Sequence, residues 1–269
     1  MPELEAIIFD VDGTLADTER DGHRVAFNAA FADAGLDWEW SVPLYGDLLR
    51  VTGGKERIRT YLAEHRPEFI PPHPLDEFVK GLHGRKTEHY TRMMQGGAIG
   101  LRPGVLRLLT EAREAGLRLA IATTTTPENV TALLAAAPVA GLADWFEVIA
   151  AGDVVPAKKP APDIFDLALQ RLGLPASACV AVEDSDNGVR SALDAGLAAL
   201  LVTVSSYTIR QDFSGAALVL DGLGEPAVPP RLLNGSCAAT VAPVLEGAGC
   251  VDLSVLRALH GCVYTDGVE

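Results

Sequence analysis

Residues 6–14 read Ala6-Ile7-Ile8-Phe9-Asp10-Val11-Asp12-Gly13-Thr14. The four leading residues are apolar without alternation, as in a strand buried on both faces of a parallel sheet. Two carboxylates spaced by one residue follow at once, then a glycine that lets the chain turn sharply. Acids so close to a buried strand are costly unless they bind a cation or react. Taken alone, the same residues also fit a surface loop with incidental acids, so the rest of the chain decides.

Four more apolar runs read as strands: Leu119 to Thr123, Phe146 to Ala150, Val180 to Glu183 and Ala199 to Val204. Helical patterns separate or flank them over Gly104–Ala115, Pro127–Ala137, Asp163–Leu172 and Asn187–Ala195. Strand-helix alternation of this kind predicts an α/β fold with a doubly wound parallel sheet. Ligands in such sheets sit at the carboxyl ends of the strands. Residues 16–96 break the alternation, with helices expected over Arg20–Ala34, Lys55–His65 and Leu75–Met94. We read them as a helical insert, which divides the chain into a core (1–15 and 97–221), a helical domain (16–96) and an extension (222–269). Five of the six histidines fall in the insert. The extension is rich in Gly, Pro and Ala, with one weakly amphipathic stretch from Asp252 to Leu259.

Three further strand ends carry polar chemistry. Thr123 closes the second strand, and Thr124, Thr125, Thr126 and Pro127 follow. A strand-end hydroxyl and free backbone N–H groups ahead of a helix suit a phosphate, while Thr126 before Pro127 also fits a helix N-cap. Lys158-Lys159-Pro160 places an ammonium on a rigid flank, and Lys159, against the proline, is the better candidate. The fourth strand ends in Glu183-Asp184. Carboxylates at two strand ends, with oxygen donors and no His or Cys beside them in the sequence, select a hard cation such as Mg²⁺.

Four such stretches in this order resemble the haloacid dehalogenase-like hydrolases, over about residues 5 to 221. The resemblance implies a Rossmann-like core, an inserted type-1 cap and Mg²⁺-dependent phosphoryl transfer. It implies that Asp10 is the nucleophile, Asp12 the general acid and base, and Thr123 and Lys159 the groups that steady the phosphoryl oxygens. Asp10, Asp12 (through its carbonyl), Glu183 and Asp184 are the implied metal ligands. Within that superfamily the strings Thr52-Gly53-Gly54-Lys55-Glu56-Arg57, IATTTTPENV, DGTLADTE and AKKPAPDIF are similar to the CbbY branch. That branch removes the C1 phosphate of xylulose 1,5-bisphosphate through an aspartyl-phosphate. A phosphosugar mutase like beta-phosphoglucomutase, and a non-catalytic phosphosugar-binding protein, stay open as alternatives.

A bisphosphate needs a second anion site, and the insert offers basic groups for it. Lys55 and Arg57 flank Gly53 and Gly54, and His83, Arg85 and Lys86 crowd one turn of a later helix. Thr52 and Thr124 complete the expected substrate contacts, and Glu19, by the resemblance, accepts from sugar hydroxyls. A small-molecule phosphosugar is thus the expected partner.

Composition limits the remaining partners. The 269 residues include 22 Lys and Arg against 36 Asp and Glu, a formal net charge of −14. That balance argues against nucleic acid or an anionic membrane as partner. The GxxxxGK[ST] spacing of a nucleotide-binding loop is missing around Gly53-Gly54-Lys55. No apolar run approaches the roughly 18 residues of a membrane span, and MPELEAIIFD has no basic n-region of a signal peptide. Cys179, Cys237, Cys250 and Cys262 form no CxxC pair, so free thiols in a reducing cytoplasm are expected. The expected state is a monomer, with oligomers left open.

Overall fold

The computed structural model describes residues 2–265. Strand β1 (Ala6–Phe9) leads into a single π-helical turn (Glu19–His23) and the helices α1 (Arg24–Asp33), α2 (Val42–Leu48), α3 (Gly54–His65) and α4 (Leu75–Gln95). The chain then alternates through α5 (Val105–Glu114), β2 (Arg118–Thr123), α6 (Pro127–Ala135), β3 (Phe146–Ala151), α7 (Asp163–Leu172), β4 (Cys179–Glu183), α8 (Asp186–Asp194) and β5 (Leu200–Thr203). It closes with β6 (Leu218–Leu220), β7 (Leu232–Asn234), α9 (Ala238–Ala248) and α10 (Leu253–Thr265).

The seven strands form one sheet in the order β3-β2-β1-β4-β5-β6-β7. All neighbours are parallel except the last pair, in which β7 runs against β6. Alternate residues of the central strands enter different cores. Ile7, Phe9, Val180 and Val182 pack on one face, and Ala6, Ile8, Cys179 and Ala181 on the other. This explains the unbroken apolar runs, because neither face of these strands meets water. Phe9 is level with both Ile121 and Val182, so β1, β2 and β4 end at one edge. The residues that follow them are thereby gathered at a single point.

The insert has its own aromatic core of Phe27, Phe31, Trp38, Trp40, Tyr45 and Tyr61. Trp40 is central, with ring centroids 4.6 Å from Phe27 and 5.4 Å from Tyr61. Helix α2 was not expected from the sequence, because Pro43 and Gly46 interrupt its seven residues. Pro43 lies in the first turn, where its missing N–H costs nothing, and the Ser41 hydroxyl accepts the Leu44 N–H at 3.3 Å. The expected helix over Arg20–Ala34 in fact starts as the π-turn, a local widening often found at functional sites.

The extension packs as part of the core. Its Val241, Leu245, Val251, Val255, Leu256 and Leu259 are buried against the face that holds Ile7 and Phe9. Small residues and a proline inside α9 conceal this in the sequence. The expectation of free thiols is also corrected. Cys237 and Cys262 form a disulfide with Cα atoms 6.1 Å apart, while Cys179 and Cys250 are free and buried. The hairpin of α9 and α10 brings the two together across 25 residues, a juxtaposition no Cys spacing reveals. Among the described residues, no helix is long and apolar enough to cross a membrane.

Candidate active site

Asp10 follows β1, and its N–H is fixed by the Val182 carbonyl at 3.0 Å. Lys159 reaches it from the loop ahead of α7. Its ammonium donates to Asp10 Oδ1 at 2.7 Å, to Glu183 Oε1 at 2.6 Å and to the Ala122 carbonyl at 2.9 Å. All three protons are used, so the charge is fixed in direction as well as place. Glu183 is wholly enclosed. Its other oxygen accepts the N–H groups of Asp184 at 2.9 Å and Ser185 at 3.4 Å, which ties it to the start of α8. Asp184 faces the turn after β1. A Cβ on Gly13, whose φ is +90°, would lie 2.1 Å from Asp184 Oδ2, so both backbone and space require glycine there.

Asp10, Glu183 and Asp184 are buried and offer oxygens that lie within 4.8 Å of one another. Burial, then Glu183 and Asp12, push the Asp10 carboxyl up to about 8 against the pull of Lys159. Burial, then Glu183 and Asp10, also raise Asp184 well above the usual carboxylate range. Burial disfavours the Lys159 ammonium, but Asp10 and Glu183 outweigh it and raise its proton affinity. One ammonium against three carboxylates leaves the site short of positive charge. An all-oxygen donor set with that deficit fits a hard divalent cation.

Asp12 points elsewhere. Its Oδ1 accepts from the Thr18 hydroxyl at 2.5 Å and from His23 Nε2 at 2.8 Å. The Lys86 ammonium lies 2.8 Å from His23 Nδ1. An ammonium can only donate, so Nδ1 accepts and Nε2 carries the proton toward Asp12. The imidazole stacks on Tyr90 at 4.4 Å, and Lys86 sits 5.1 Å above the same ring. Burial opposes the charge on Asp12, yet His23 and Thr18, with Lys86 behind them, hold the carboxyl well below the usual range. Burial pushes the Lys86 ammonium itself down to about 8. The sequence reading set no histidine beside the acids and gave Lys86 to the substrate. Lys86 meets His23 and also stands in the wall of a cavity over Asp12. The clustering of histidines in the insert was the only signal for it.

Two adjoining cavities open over this floor and share Asp12, Glu19, Arg57 and Thr124. The first also exposes Asp10, Thr123, Lys159, Asp184 and Thr52. Thr52 accepts from Asn187 Nδ2, in the first turn of α8, at 3.2 Å. The second cavity is lined by Gly53, Gly54, Lys55, His83, Lys86 and Lys158. Gly53 has φ +98°, and a Cβ there would stand 2.7 Å from Lys158 Nζ. Lys55 pairs with Asp153, and Lys158 with Asp153 at 2.9 Å and Glu56 at 3.0 Å. Burial, then Lys86, Lys55 and Lys158, push His83 down to about 3, so it is a neutral wall. Glu19 accepts from the Tyr45 hydroxyl at 2.5 Å, which in turn accepts from Arg57 Nη1 at 2.8 Å.

Arg85 does not reach either cavity. It is exposed and donates to the Asp33 carbonyl at 3.1 Å. Positions 83 and 86 share a helical face, whereas 85 turns away from it. Thr126 holds the N-cap position of α6 but makes no side-chain cap bond. The fold also brings up groups the sequence did not single out. Tyr207, Thr208 and Gln211, from the loop after β5, line the first cavity.

A model of the haloacid dehalogenase-like hydrolase family matches residues 4–196. Protein CbbY (plasmid) of Cupriavidus necator is 46% identical over 258 residues, which cover 96% of this chain and 97% of that protein. Protein CbbY of Rhodobacter capsulatus is 55% identical over 214 residues, 80% of this chain and 91% of the relative. The crystal structure of CbbY (mutant D10N) from Rhodobacter sphaeroides in complex with xylulose-(1,5)bisphosphate superposes with a TM-score of 0.76 at 47% identity. That match covers 81% of this chain and 94% of the other.

Proposed function

The chain is a phosphatase that belongs to the haloacid dehalogenase-like hydrolases, in their CbbY branch, and from that premise we propose that it is a Mg²⁺-dependent phosphatase of sugar bisphosphates, with xylulose 1,5-bisphosphate as the foremost substrate. The observation that carries this reading is the pair of adjoining cavities. Asp10 and Lys159 line the first, and Lys55, Arg57 and Lys158 line the second, which offers the cations a further phosphate would need. The bisphosphate in the related CbbY complex supports the same choice.

Asp10, the Asp12 carbonyl and Asp184 are the groups that would hold Mg²⁺, with Glu183 behind them fixing Lys159. Bound there, the cation would supply the positive charge that the three carboxylates lack and would polarise a phosphoryl oxygen. The chain's own residues do the rest. A carboxylate oxygen of Asp10 attacks phosphorus as the bond to the sugar oxygen breaks, giving an aspartyl-phosphate. The leaving oxygen takes a proton from Asp12. Asp12 is a carboxylate when the site is empty, and a dianionic phosphoryl group entering beside it raises its proton affinity. In the second half, Asp12 removes a proton from water, which attacks the same phosphorus and returns Asp10 with release of phosphate. Lys159 and Thr123 steady the equatorial oxygens throughout. Thr18 and His23, backed by Lys86, set the direction of the Asp12 carboxylate.

A phosphate-release screen over sugar mono- and bisphosphates, with Mg²⁺ and with EDTA, tests the proposal. The expected result is preferred hydrolysis of a pentulose 1,5-bisphosphate, silenced by EDTA and restored by Mg²⁺. Activity indifferent to chelation or revived only by Zn²⁺, equal use of monophosphates, or isomerisation of a hexose 1-phosphate to the 6-phosphate in place of phosphate release would overturn it.

A further inference from the structure

Arg102 stands where the chain re-enters the core from the cap, and neither cavity is lined by it. Its backbone N–H donates to the Leu15 carbonyl at 2.9 Å, which joins the outgoing and returning linkers of the cap. The guanidinium then spreads over three more segments. Nη1 donates to the Gly13 carbonyl in the catalytic turn and to the Thr203 carbonyl, at the end of β5, at 3.0 Å. Nη2 donates to the Val204 carbonyl at 2.7 Å and weakly to that of Asp221, after β6, at 3.4 Å. Nε faces Asp17 Oδ1 at 3.4 Å, in the linker one residue ahead of Thr18. The side chain is only 10% exposed. A rigid fork with five donors suits this work, and an ammonium on a flexible stem does not.

We propose that Arg102 is a positioning residue for the acid–base step, acting through the Gly13 carbonyl to hold Asp12 in its working place. The turn is clamped from two sides. The Gly13 N–H goes to the Ala16 carbonyl at 2.8 Å, and the Gly13 carbonyl goes to Arg102. Asp12 is the residue immediately before Gly13, which is held at both its N–H and its carbonyl. Its side-chain partners, Thr18 and His23, follow Asp17, which Arg102 also holds. One guanidinium therefore fixes both the backbone that carries the carboxyl and the linker that aims it, against the ends of β5 and β6. Asp10 has its own anchors, the Val182 carbonyl and Lys159, and depends on Arg102 far less. The inference rests on the general-acid role given to Asp12 above.

This asymmetry has a signature that simple loss of structure lacks. A sugar oxygen needs a proton as it leaves, while p-nitrophenolate does not. The value of kcat/KM reports the first irreversible step, the transfer to Asp10, and so isolates the acid role. We take Arg102→Gln, Arg102→Lys and Asp12→Asn, with p-nitrophenyl phosphate and the sugar phosphate that the unaltered chain hydrolyses best. In Arg102→Gln, kcat/KM should fall about 10²-fold on the sugar phosphate, the scale of a misplaced catalytic group. On the aryl phosphate, at saturating Mg²⁺, it should fall less than about 5-fold, since no proton is needed there and excess cation offsets a loosened Asp12 carbonyl. Arg102→Lys should lie between, and Asp12→Asn should show the same selectivity more strongly. Equal losses on both substrates in Arg102→Gln, with Asp12→Asn still selective, would overturn the positioning role. An unselective Asp12→Asn would overturn the acid assignment itself, and this inference with it. Should Arg102→Gln fail to unfold cooperatively, Arg102→Lys and Asp17→Asn carry the test. Both must favour the aryl phosphate by at least about 3-fold, and no selectivity in either refutes the proposal.

Discussion

Lys55→Ala is the sharpest probe of substrate choice, because the structure shows what Lys55 must give up to meet a remote phosphate. Its ammonium is paired with Asp153, whose carboxyl is pulled down to about 2 by hydrogen bonds from Lys55 and Lys158. The Asp153 side chain is 50% exposed, so that pair stabilises by no more than about 1 kcal/mol. A charge-assisted hydrogen bond to a phosphate contributes about 1.5–3 kcal/mol. The difference, about 1–2 kcal/mol, corresponds to a loss of about 5- to 30-fold. In a coupled phosphate-release assay, Lys55→Ala should lower kcat/KM for xylulose 1,5-bisphosphate by about 10-fold and leave p-nitrophenyl phosphate within about 2-fold. Asp153→Asn acts in the opposite sense. It frees Lys55 and should raise kcat/KM on the bisphosphate by about 2- to 5-fold. In the double variant the Asp153 effect should shrink to what Lys158 alone transmits, which makes the pair a double-mutant cycle. Equal losses on both substrates in Lys55→Ala, or a weaker bisphosphate reaction in Asp153→Asn, would refute a second anion site at Lys55.

Two other outcomes follow from the floor of the site. Asp10→Asn should abolish turnover while thermal unfolding stays cooperative, and Asp12→Asn should lose about 10²- to 10⁴-fold in rate; near-normal turnover of Asp10→Asn would remove the covalent route. The Lys86 ammonium is pushed down to about 8 from its ordinary 10.5. The unfolded chain therefore binds the extra proton between those values, and the cost of burying the charge, full below pH 8, is relieved as pH rises toward 10.5. The stability of the parent relative to Lys86→Met should climb across that window in denaturant titrations, and a flat difference would contradict the shift.

The core was legible because its signals are local. An apolar run followed by acids, as in Phe9-Asp10 or Val182-Glu183, states both burial and cost within a few residues. The order of four such strand ends then supplied the rest. What stayed hidden depends on long separations. His23 meets Asp12 across 11 residues, Lys86 meets His23 across 63, and Lys55 meets Asp153 across 98. Helical phase, too, separates Arg85 from Lys86 although they are adjacent in the chain. The extension was opaque for a different reason. Its helix α9 is built largely from small residues and contains Pro243, so neither amphipathic period nor propensity marks it, and α10 shows in the sequence only as the weak amphipathic stretch from Asp252 to Leu259.

The division of the site between core and cap has a mechanistic consequence. In the proposed mechanism the groups that would attack phosphorus or steady its oxygens, Asp10, Thr123 and Lys159, and Asp184, which would help hold Mg²⁺, lie on core strand ends or loops, and Lys159 is anchored by core atoms alone. Asp12 differs. Its carboxylate is aimed by Thr18 and His23 at the entrance to the cap, and His23 is backed by Lys86 on α4. On that mechanism the phosphoryl-transfer step draws on core groups, whereas the acid–base step also draws on residues of the insert. A small aryl phosphate, which needs no proton on its leaving oxygen, draws on the first alone. A sugar phosphate draws on both, so binding energy spent on closing the cap returns as rate only for substrates that need Asp12.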